Sequence, residues 1–407
     1  MRIGHGVVRL EVVAGEPMGG YADRVDGVLG TLDPLEVHAV TFADGGHRFA
    51  LVVADLVCVN SDVVERVREA GRSLGVDTCW VAATHTHASP ESGCVPGGTT
   101  TPPDLAARLV TSACSAMELA LSDERRSAVS ATRVRVSGLG GRRNVADAPV
   151  ELPVDAIVVS EDDAVRGLIV VSPVHPTVLS SDNRAVSADL TGGIRRALRG
   201  GDHWVVVATG AAGDISTRHT RRGRGADEVD RLGAMVAEAL TIDALRPDPH
   251  DRSALGAPIA RALRLVPKDP TELDRIAPPT ADGAEIDHRS HQVMRQGERI
   301  AADLAVQART EPYTIEIESV RLGGATVVAV PAELFLALGE SIRAAVPASE
   351  PPVIVLGYAN GYLGYLTDGE VSPTYESLVS PVQPDSGRLV AQAAIELVTS
   401  STQEEQG

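Results

Sequence analysis

Segments typical of β-strands and of α-helices alternate along most of this 407-residue chain. Residues 35–42 and 48–56 have the apolar pattern of strands, residues 61–75 that of an amphipathic helix with Ser61 as its N-cap, and residues 78–83 that of a buried strand. The alternation returns with buried strands at 155–160, 167–172 and 203–210, helices at 191–200 and 227–241, and a last group at 326–333, 351–362 and 387–400. The chain is therefore predicted to be an α/β protein with mixed sheets.

No internal repeat and no low-complexity linker divides the chain. Residues 1–400 are therefore predicted to form one domain, followed by a polar tail at 401–407. Residues 246–314 break the alternation, because they begin with a proline-containing polar stretch and include a long polar helix candidate at 288–308. We interpret this region as an insertion rather than a second domain.

The composition favours a small molecule as partner. A net charge of −18 would repel nucleic acids and anionic membranes. No stretch reaches the ~20 apolar residues that cross a bilayer, and the N-terminus does not have the pattern of a signal peptide. The four cysteines lack CxxC spacing, which argues against a thiolate metal site and a dense disulfide framework. We expect a cytoplasmic protein without nucleic-acid or membrane partners, and homo-oligomerisation stays open.

Two histidines stand at the end of the buried strand at 78–83, in the stretch WVAATHTHASP. Because alternate side chains of a strand share a face, His85 and His87 project the same way and can reach one pocket. The carboxyl ends of strands are where α/β sheets place their sites. For an isolated pair of this kind, it is equally good to interpret the two histidines as residues that only cap the strand end by hydrogen bonds. Metallo-β-lactamase-like hydrolases continue as HxHxDH, whereas this chain continues as ASP, which argues against that class.

Further candidate ligands follow other predicted strands. His175 stands after a buried strand and is flanked by prolines, and Glu333 lies where a strand passes into a helix. Tyr358, Tyr362 and Tyr365 share one short loop. A zinc site takes three or four N, O or S ligands, so separate strand ends would have to supply them. Taken singly, each residue also has a structural explanation, such as packing or a favourable position at a helix start.

The order of these motifs resembles the neutral ceramidases, zinc-dependent amidases that release a fatty acid from N-acyl sphingosine. THTHASP, SPVHPT, GDIS, PAEL and GYANGYLGYLT follow one another here as ATHTHSGP, AVHPT, GDVSPN, GEF and SNxYxxYxT do in that family. PMGGYADR near the N-terminus and YES at 375–377 match two further segments. The resemblance spans most of residues 15–380 and implies a mixed α/β catalytic domain with two central sheets flanked by helices.

The resemblance also implies roles for individual residues. The implied zinc (Zn2+) ligands are His85, His175, Glu333 and Tyr365, and the implied catalytic residues are His87, Arg142, Asp214 and Ser216, with Arg143 as the alternative to Arg142. Zinc polarises a carbonyl and lowers the pKa of bound water to ~7. Asp214 could take the proton of the water, while His87 and Arg142 could stabilise the oxyanion. A nearby dication would favour the ionised form of Tyr365.

Two motifs depart from the family pattern at the expected mouth of the pocket. GDVSPN has become GDISTR at 213–218, and TxEEY has become TDGEV at 367–371. Arg218 is thereby either a charge suited to an anion or an arginine exposed to solvent. The family members are secreted or membrane-associated and carry a C-terminal immunoglobulin-like domain, whereas this chain shows no export signal and ends soon after YES. We therefore expect retained metal chemistry on a substrate other than ceramide.

These features together predict a cytoplasmic zinc hydrolase that cleaves the amide bond of a small or medium N-acylated metabolite. The nearest alternative is a zinc-dependent ester or lactone hydrolase, because the same water and oxyanion pocket would serve that reaction. A second alternative is a small-molecule binding protein on the same fold that has lost activity. The joint presence of His87, Asp214 and four ligands argues against it.

Overall fold

The described residues form three larger sheets that meet around a common apolar core. The computed structural model describes residues 1–144, 150–162, 164–241, 245, 254–269, 288–306, 309–347, 350–369 and 374–404. The first sheet has the order β5-β4-β3-β1-β6 and consists of β1 (Arg2–Arg9), β3 (Glu36–Asp44), β4 (His47–Ala54), β5 (Thr78–Ala83) and β6 (Arg125–Arg126). The second has the order β12-β10-β9-β7 and consists of β7 (Ala128–Ser137), β9 (Glu151–Glu161), β10 (Ala164–Ser172) and β12 (Trp204–Thr209). The third has the order β14-β15-β16-β18 and consists of β14 (Ile259–Leu265), β15 (Tyr313–Leu322), β16 (Ala325–Ala329) and β18 (Val353–Leu356).

Short strands pair outside these sheets. They are β2 (Gly30–Thr31) with β11 (Ala185–Val186), β8 (Gly141–Arg142) with β13 (Ile215–Ser216), and β17 (Glu333–Leu334) with β19 (Tyr365–Leu366). Each larger sheet contains one parallel pair, namely β4 with β5, β10 with β12, and β16 with β18, and its other pairs are antiparallel. The predicted α/β class with mixed sheets is thereby confirmed. The described residues contain one large sheet more than the two that the resemblance implied.

Alternation of side chains explains how each sheet is buried on both faces. In β4, Leu51 and Val53 point into the core that the three sheets share, whereas Val52 and Ala54 point into the core beneath the outer helices. Strands buried on both faces read as continuous apolar runs. This is why the segments at 78–83, 155–160 and 167–172 could be predicted as buried strands from composition alone.

Eight helices lie in the described ranges, and most of them pack against the three larger sheets. They are α1 (Ser61–Ser73), α2 (Pro103–Ser122), α3 (Asp189–Leu198), α4 (Ala226–Ala239), α5 (His288–Val306), α6 (Leu336–Arg343), α7 (Tyr375–Val379) and α8 (Ser386–Glu404). In α1 the N-cap is Asn60, and not Ser61 as predicted, and no side chain caps the helix. The Asn60 amide instead donates to the carbonyl oxygen of Ser92 at 2.8 Å. It thereby anchors the loop that follows the two histidines.

Helix α2 is, by length and composition alone, long and apolar enough to cross a membrane, which the sequence reasoning did not foresee. In the fold it packs against the first sheet, and one of its faces is buried there: Leu105, Ala106, Leu109, Ser112, Ala113, Ala116, Met117 and Ala120. The apolar character of α2 is therefore explained by its place in the core.

Two elements of the predicted insertion at 246–314 belong to the domain. Strand β14 forms the edge of the third sheet by antiparallel pairing with β15, and α5 packs against α7. Residues 246–253 and 270–287 lie outside the described residues, as do 405–407 of the predicted tail. Helix α8 runs through residues 401–404, so this part of the predicted tail is helical.

Two glycines allow the second and third sheets to approach each other closely beside the strand ends. The Gly357 amide donates to the carbonyl oxygen of Thr209 at 3.0 Å. A Cβ atom at Gly357 would lie 2.6 Å from the carbonyl oxygen of Gly210, which is backbone and cannot rotate away. Any larger residue at position 357 must therefore push the sheets apart.

We predict that Gly357→Ala lowers the free energy of unfolding by about 1–3 kcal/mol through overpacking. The matched control is Gly200→Ala, because a Cβ atom there meets nothing within 4 Å. Guanidinium titration of both variants measures the difference. Equal stability of the two variants would contradict the close approach of the sheets.

Candidate functional site

The three parallel strand pairs end at one place in the molecule, and the segments that follow them carry the candidate residues. His85 follows β5 of the first sheet, His175 follows β10 of the second, and Glu333 in β17 follows β16 of the third. Hydrogen bonds join these segments: the Ala83 amide donates to the Tyr358 carbonyl, and Thr209 Oγ1 donates to the Thr84 carbonyl at 2.6 Å. The site therefore lies at the carboxyl ends of strands, as predicted.

Backbone carbonyls fix the orientation of two imidazoles. His85 Nδ1 lies 2.7 Å from the carbonyl oxygen of Val57, and His175 Nδ1 lies 2.6 Å from that of Ala212. Because a carbonyl only accepts, each Nδ1 carries a proton, and in the neutral tautomer that this contact selects, Nε2 is the atom available to a metal. The Nε2 atoms lie 3.3 Å (His85) and 3.0 Å (His175) from Oε2 of Glu333. The Nε2 atoms of both rings therefore face one buried carboxylate oxygen.

The backbone at His85 is in the left-handed region, with φ of 62°. This conformation is uncommon outside glycine, and strained residues of this kind concentrate at functional sites. The Tyr358 ring stacks on the imidazole with centroids 4.0 Å apart. The turn and the stacked ring together hold His85 facing Glu333.

Burial keeps the donor groups in the protonation states that bind a metal. It lowers the pKa of His175 to about 3, and the charge of Arg143 acts in the same direction. The pKa of His87 lies well below its usual value because of burial and of His85 and His175. Burial alone would raise the pKa of Glu333, but His85 and His175 hold it well below the usual range. The site therefore offers neutral imidazoles at His87 and His175 and an ionised carboxylate at Glu333 at neutral pH.

Each tyrosine of the predicted loop has a separate contact. Tyr362 donates to Oε1 of Glu333 at 2.6 Å, which leaves Oε2 for the imidazoles. Tyr365 lies with its ring parallel to His175, at a centroid distance of 6.3 Å, and its hydroxyl accepts from Nη1 of Arg143 at 3.1 Å. Burial raises the pKa of Tyr365 well above its usual value, although Arg143 acts in the opposite direction. Without a metal, Tyr365 is therefore a neutral phenol.

His87 lies beside the two oriented imidazoles. Its Nε2 is 3.2 Å from Nε2 of His85, and the Tyr21 ring meets it edge-on at a centroid distance of 5.0 Å. Its Nδ1 is buried without a hydrogen-bond partner in the described structure. Ring nitrogens of His85, His87 and His175 lie within 4.8 Å of one another and could together hold a metal ion. The geometry thus allows His87 to be a third histidine ligand as well as the predicted substrate-facing residue.

The donor set fits a zinc ion. In a tetrahedral site with bonds of ~2.0–2.1 Å, neighbouring ligand atoms lie about 3.3 Å apart. The separations from Glu333 Oε2 to Nε2 of His85 and of His175, 3.3 and 3.0 Å, are close to that value. The buried carboxylate receives a hydrogen bond from Tyr362 at Oε1, which leaves Oε2 facing the two imidazoles. A cation held by these atoms would balance the charge of the buried carboxylate.

Arg143, the predicted alternative to Arg142 as the catalytic arginine, reaches the cavity, whereas Arg142 does not. Arg143 lines the cavity and pairs with Glu376 at 3.3 Å in addition to its contact with Tyr365. Arg142 is exposed and is not among the lining residues. The two arginines are adjacent in β8 and the turn after it, so the pattern GRRN alone could not decide which one points inward.

Asp214 and Ser216 lie near the site but have different positions. Oδ1 of Asp214 accepts the Leu336 amide at 2.7 Å, which fixes the start of α6 behind Glu333. Burial raises the pKa of Asp214, and the side chain is not among those that line the cavity. Ser216 lines the cavity, and its hydroxyl accepts the Arg218 amide at 3.3 Å. This contact gives Asp214 a structural role, and its predicted contact with a water molecule stays a prediction.

The segment PMGGYADR forms part of the site, although the sequence reasoning assigned none of its residues a role. Gly20 has φ of +90°, and a Cβ atom there would lie 2.6 Å from Cβ of His87. Arg24 donates to the carbonyl oxygens of Gly19 and His87 at 2.8 and 2.7 Å. The two adjacent glycines before an aromatic residue were the available signal, because glycine often marks close backbone approach.

A cavity of about 690 Å³ opens over these groups. This volume is typical of a small-molecule site. Helix α5 contributes one wall through Val293, Gln296 and Ile300, so the predicted insertion does line the pocket. Of the predicted site residues, the lining includes His85, His87, Ser216, Glu333 and Tyr365, and it omits His175, Arg142 and Asp214.

A disulfide joins Cys58 to Cys94, which the cysteine spacing did not predict. Cys94 lines the cavity, and Cys58 follows Val57, whose carbonyl orients His85. Cys79 and Cys114 are free. Disulfides persist mainly in oxidising compartments, so this pair argues against the cytoplasmic location, which stays a prediction.

We predict that Cys58→Ala combined with Cys94→Ala lowers the free energy of unfolding by about 2–4 kcal/mol, because the bond closes a long loop in the unfolded chain. Denaturation of the wild type in dithiothreitol should show the same loss. The double variant should not respond to the reductant, and a response would show that this pair is not the one that matters.

Comparison with known proteins identifies the fold. No protein-family model matches the chain, and no curated protein sequence matches it. A solved structure of a ceramidase complexed with C2 superposes with a TM-score of 0.75 at 18% identity, over 99% of this chain and 75% of that one. Neutral ceramidase from Pseudomonas aeruginosa superposes with a TM-score of 0.73 at 19% identity, over 97% and 73%. The chain therefore has the neutral ceramidase fold, as the order of motifs predicted, and the likeness at these identities concerns the fold alone.

Proposed function

We propose that this protein is a zinc-dependent hydrolase that cleaves the amide bond of a small or medium N-acylated substrate. The proposed ligands are His85, His175, Glu333 and Tyr365. One observation carries the proposal. Two imidazoles, each oriented by a backbone carbonyl, face one buried carboxylate oxygen at separations close to those of a tetrahedral site. The fold shared with solved ceramidases supports amide cleavage as the reaction class.

Zinc held by these residues would polarise the scissile carbonyl and activate a water molecule. The chain itself supplies the other contributions. His87 is neutral at pH 7 and lines the cavity, so its ring N–H can donate to the oxygen on which negative charge develops. Arg143 keeps its charge, because its pKa is raised by Tyr365 and Glu376 despite burial. Its contact with the Tyr365 hydroxyl favours the ionised form of that ligand.

In this proposal Asp214 is a positioning residue. Its hydrogen bond to the Leu336 amide holds the turn that presents Glu333. The proton of the attacking water would pass to a group that lines the cavity, for which Glu333 and His87 are the candidates. An ester or lactone fits the same geometry, so the substrate panel below includes both.

The purified protein should contain about one equivalent of zinc and hydrolyse N-acyl amines or N-acyl amino acids, and a chelator should abolish both zinc content and turnover. Elemental analysis and a panel of amides, esters and lactones test this. His175→Ala should lose zinc and activity together. Cleavage that survives complete removal of the metal would overturn the proposal, and faster cleavage of esters or lactones would change the assigned bond.

His87→Ala should lower kcat about 10²–10⁴-fold while zinc content stays nearly unchanged. Loss of the metal in this variant would instead place His87 among the ligands, together with His85 and His175.

Arg143→Gln should lower kcat by about 10²–10³-fold, the usual cost of removing a group that stabilises an oxyanion. Arg142→Gln is the matched control, because it removes the same charge from a neighbouring exposed side chain. Steady-state kinetics on one amide substrate compares them. A larger loss in the Arg142 variant would reverse the assignment.

A further inference from the structure

We infer that the mouth of the cavity is an anion site, formed by Arg218, Arg221 and Arg224, that selects N-acylated substrates carrying a carboxylate or phosphate group. The inference rests on the proposed function, since it assigns a substrate class to the same cavity. All three arginines belong to the segment between β13 and α4 and line the cavity. We call them the arginine cluster.

Arg221 is fixed against the segment that carries His175. Its Nη1 donates to the carbonyl oxygen of Thr177 at 2.5 Å and to Thr217 Oγ1 at 3.4 Å. Both acceptors are uncharged, and no carboxylate in the described part of the chain forms an ion pair with Arg221. Its charge is thus held near a proposed zinc ligand without being neutralised.

The arginine cluster brings like charges together. Burial lowers the pKa of Arg221, and the charges of Arg224 and Arg218 lower it further, while Tyr21 and Asp189 act in the opposite direction. Arg224 is exposed and has no ion pair among the described residues. Concentrating cations in this way is unfavourable unless an anion binds between them. The chain as a whole carries a net charge of −18, so the concentration is local.

In the part of the chain that the structure describes, none of the carboxylates that line the cavity forms an ion pair with Arg221 or Arg224. Glu376 pairs with Arg143 and Asn144, and Glu91 accepts the Gly93 amide. The remaining carboxylates are Glu333 of the candidate zinc site and two at the rim, Asp23 and Asp182. Asp23 accepts a hydrogen bond from Ser181 Oγ. Arg299 of α5 also lines the cavity and adds a further positive charge to the three of the arginine cluster.

Guanidinium groups bind carboxylate and phosphate through paired charged hydrogen bonds. One cavity contains both the candidate zinc ligands and the arginine cluster, so a single substrate can reach both. Its amide carbonyl would lie at Glu333 and the histidines, and its anionic group at the arginines. N-acyl amino acids have this arrangement, as do N-acylated amino-alkyl phosphates.

The test compares pairs of probes in which one member carries an anionic group and the other does not. N-octanoylglycine and N-octanoylglycinamide share the acyl chain and amide, and N-octanoylphosphoethanolamine and N-octanoylethanolamine form the phosphate pair. Affinity for His87→Ala, loaded with zinc, is measured by titration calorimetry, and kcat/KM is measured on the wild type. At least one anionic probe should bind about tenfold or more tightly than its neutral partner. The preferred anion distinguishes carboxylate from phosphate.

Arg221→Gln and Arg224→Gln should each remove most of this preference, because each raises KM for the anionic probe more than KM for its neutral partner. Arg222→Gln is the control, because Arg222 is adjacent and exposed but does not line the cavity. Equal binding of charged and neutral probes, or equal loss in the control, overturns the inference. If no probe is hydrolysed, the proposed reaction fails, while a charge preference in binding that needs Arg221 or Arg224 still supports the anion site.

Discussion

The carboxylate of Glu333 is the point at which the three sheets are joined chemically. One of its oxygens faces an imidazole that follows the first sheet and an imidazole that follows the second, and Glu333 itself follows the third. An ionised carboxylate at 2% exposure among neutral rings is costly unless a cation or donors balance it. The order of the strands, the parallel pair in each sheet and the close glycine contacts all serve to bring these few atoms together.

The groups around this point leave the donors little freedom. The carbonyls of Val57 and Ala212 accept from Nδ1 of His85 and of His175 and so fix their tautomers. Tyr362 donates a hydrogen bond to the other oxygen of Glu333. Such outer contacts usually orient ligands and tune the metal. They also connect the site to distant parts of the chain: the disulfide lies next to Val57, and the Asp214 contact to the Leu336 amide lies behind Glu333.

The sequence predicted the α/β class and the residues that converge, for physical reasons that can be stated. Buried strands read as apolar runs, which made the residues at their ends candidates, and the resemblance in the order of motifs then implied that His85, His175 and Glu333 belong together. The choice between Arg142 and Arg143 depends on the register of a two-residue strand, which no local pattern fixes. The contact of Asp214 with Leu336 spans 122 positions, and the Cys58–Cys94 pair spans 36. Tertiary contacts of this kind leave no periodic trace in a sequence.

The floor and the side wall of the cavity differ in how they are packed, and this difference affects which of their residues can change. The floor is built from strand ends that are packed on every side, so almost any exchange there disturbs folding. The wall from α5 and the segment before α4 lies outside the three sheets, with side chains that are only partly buried. Mutations there can alter what enters the cavity at little cost to stability. The shape and charge of the entrance can therefore change through single substitutions while the packing at the strand ends stays as it is.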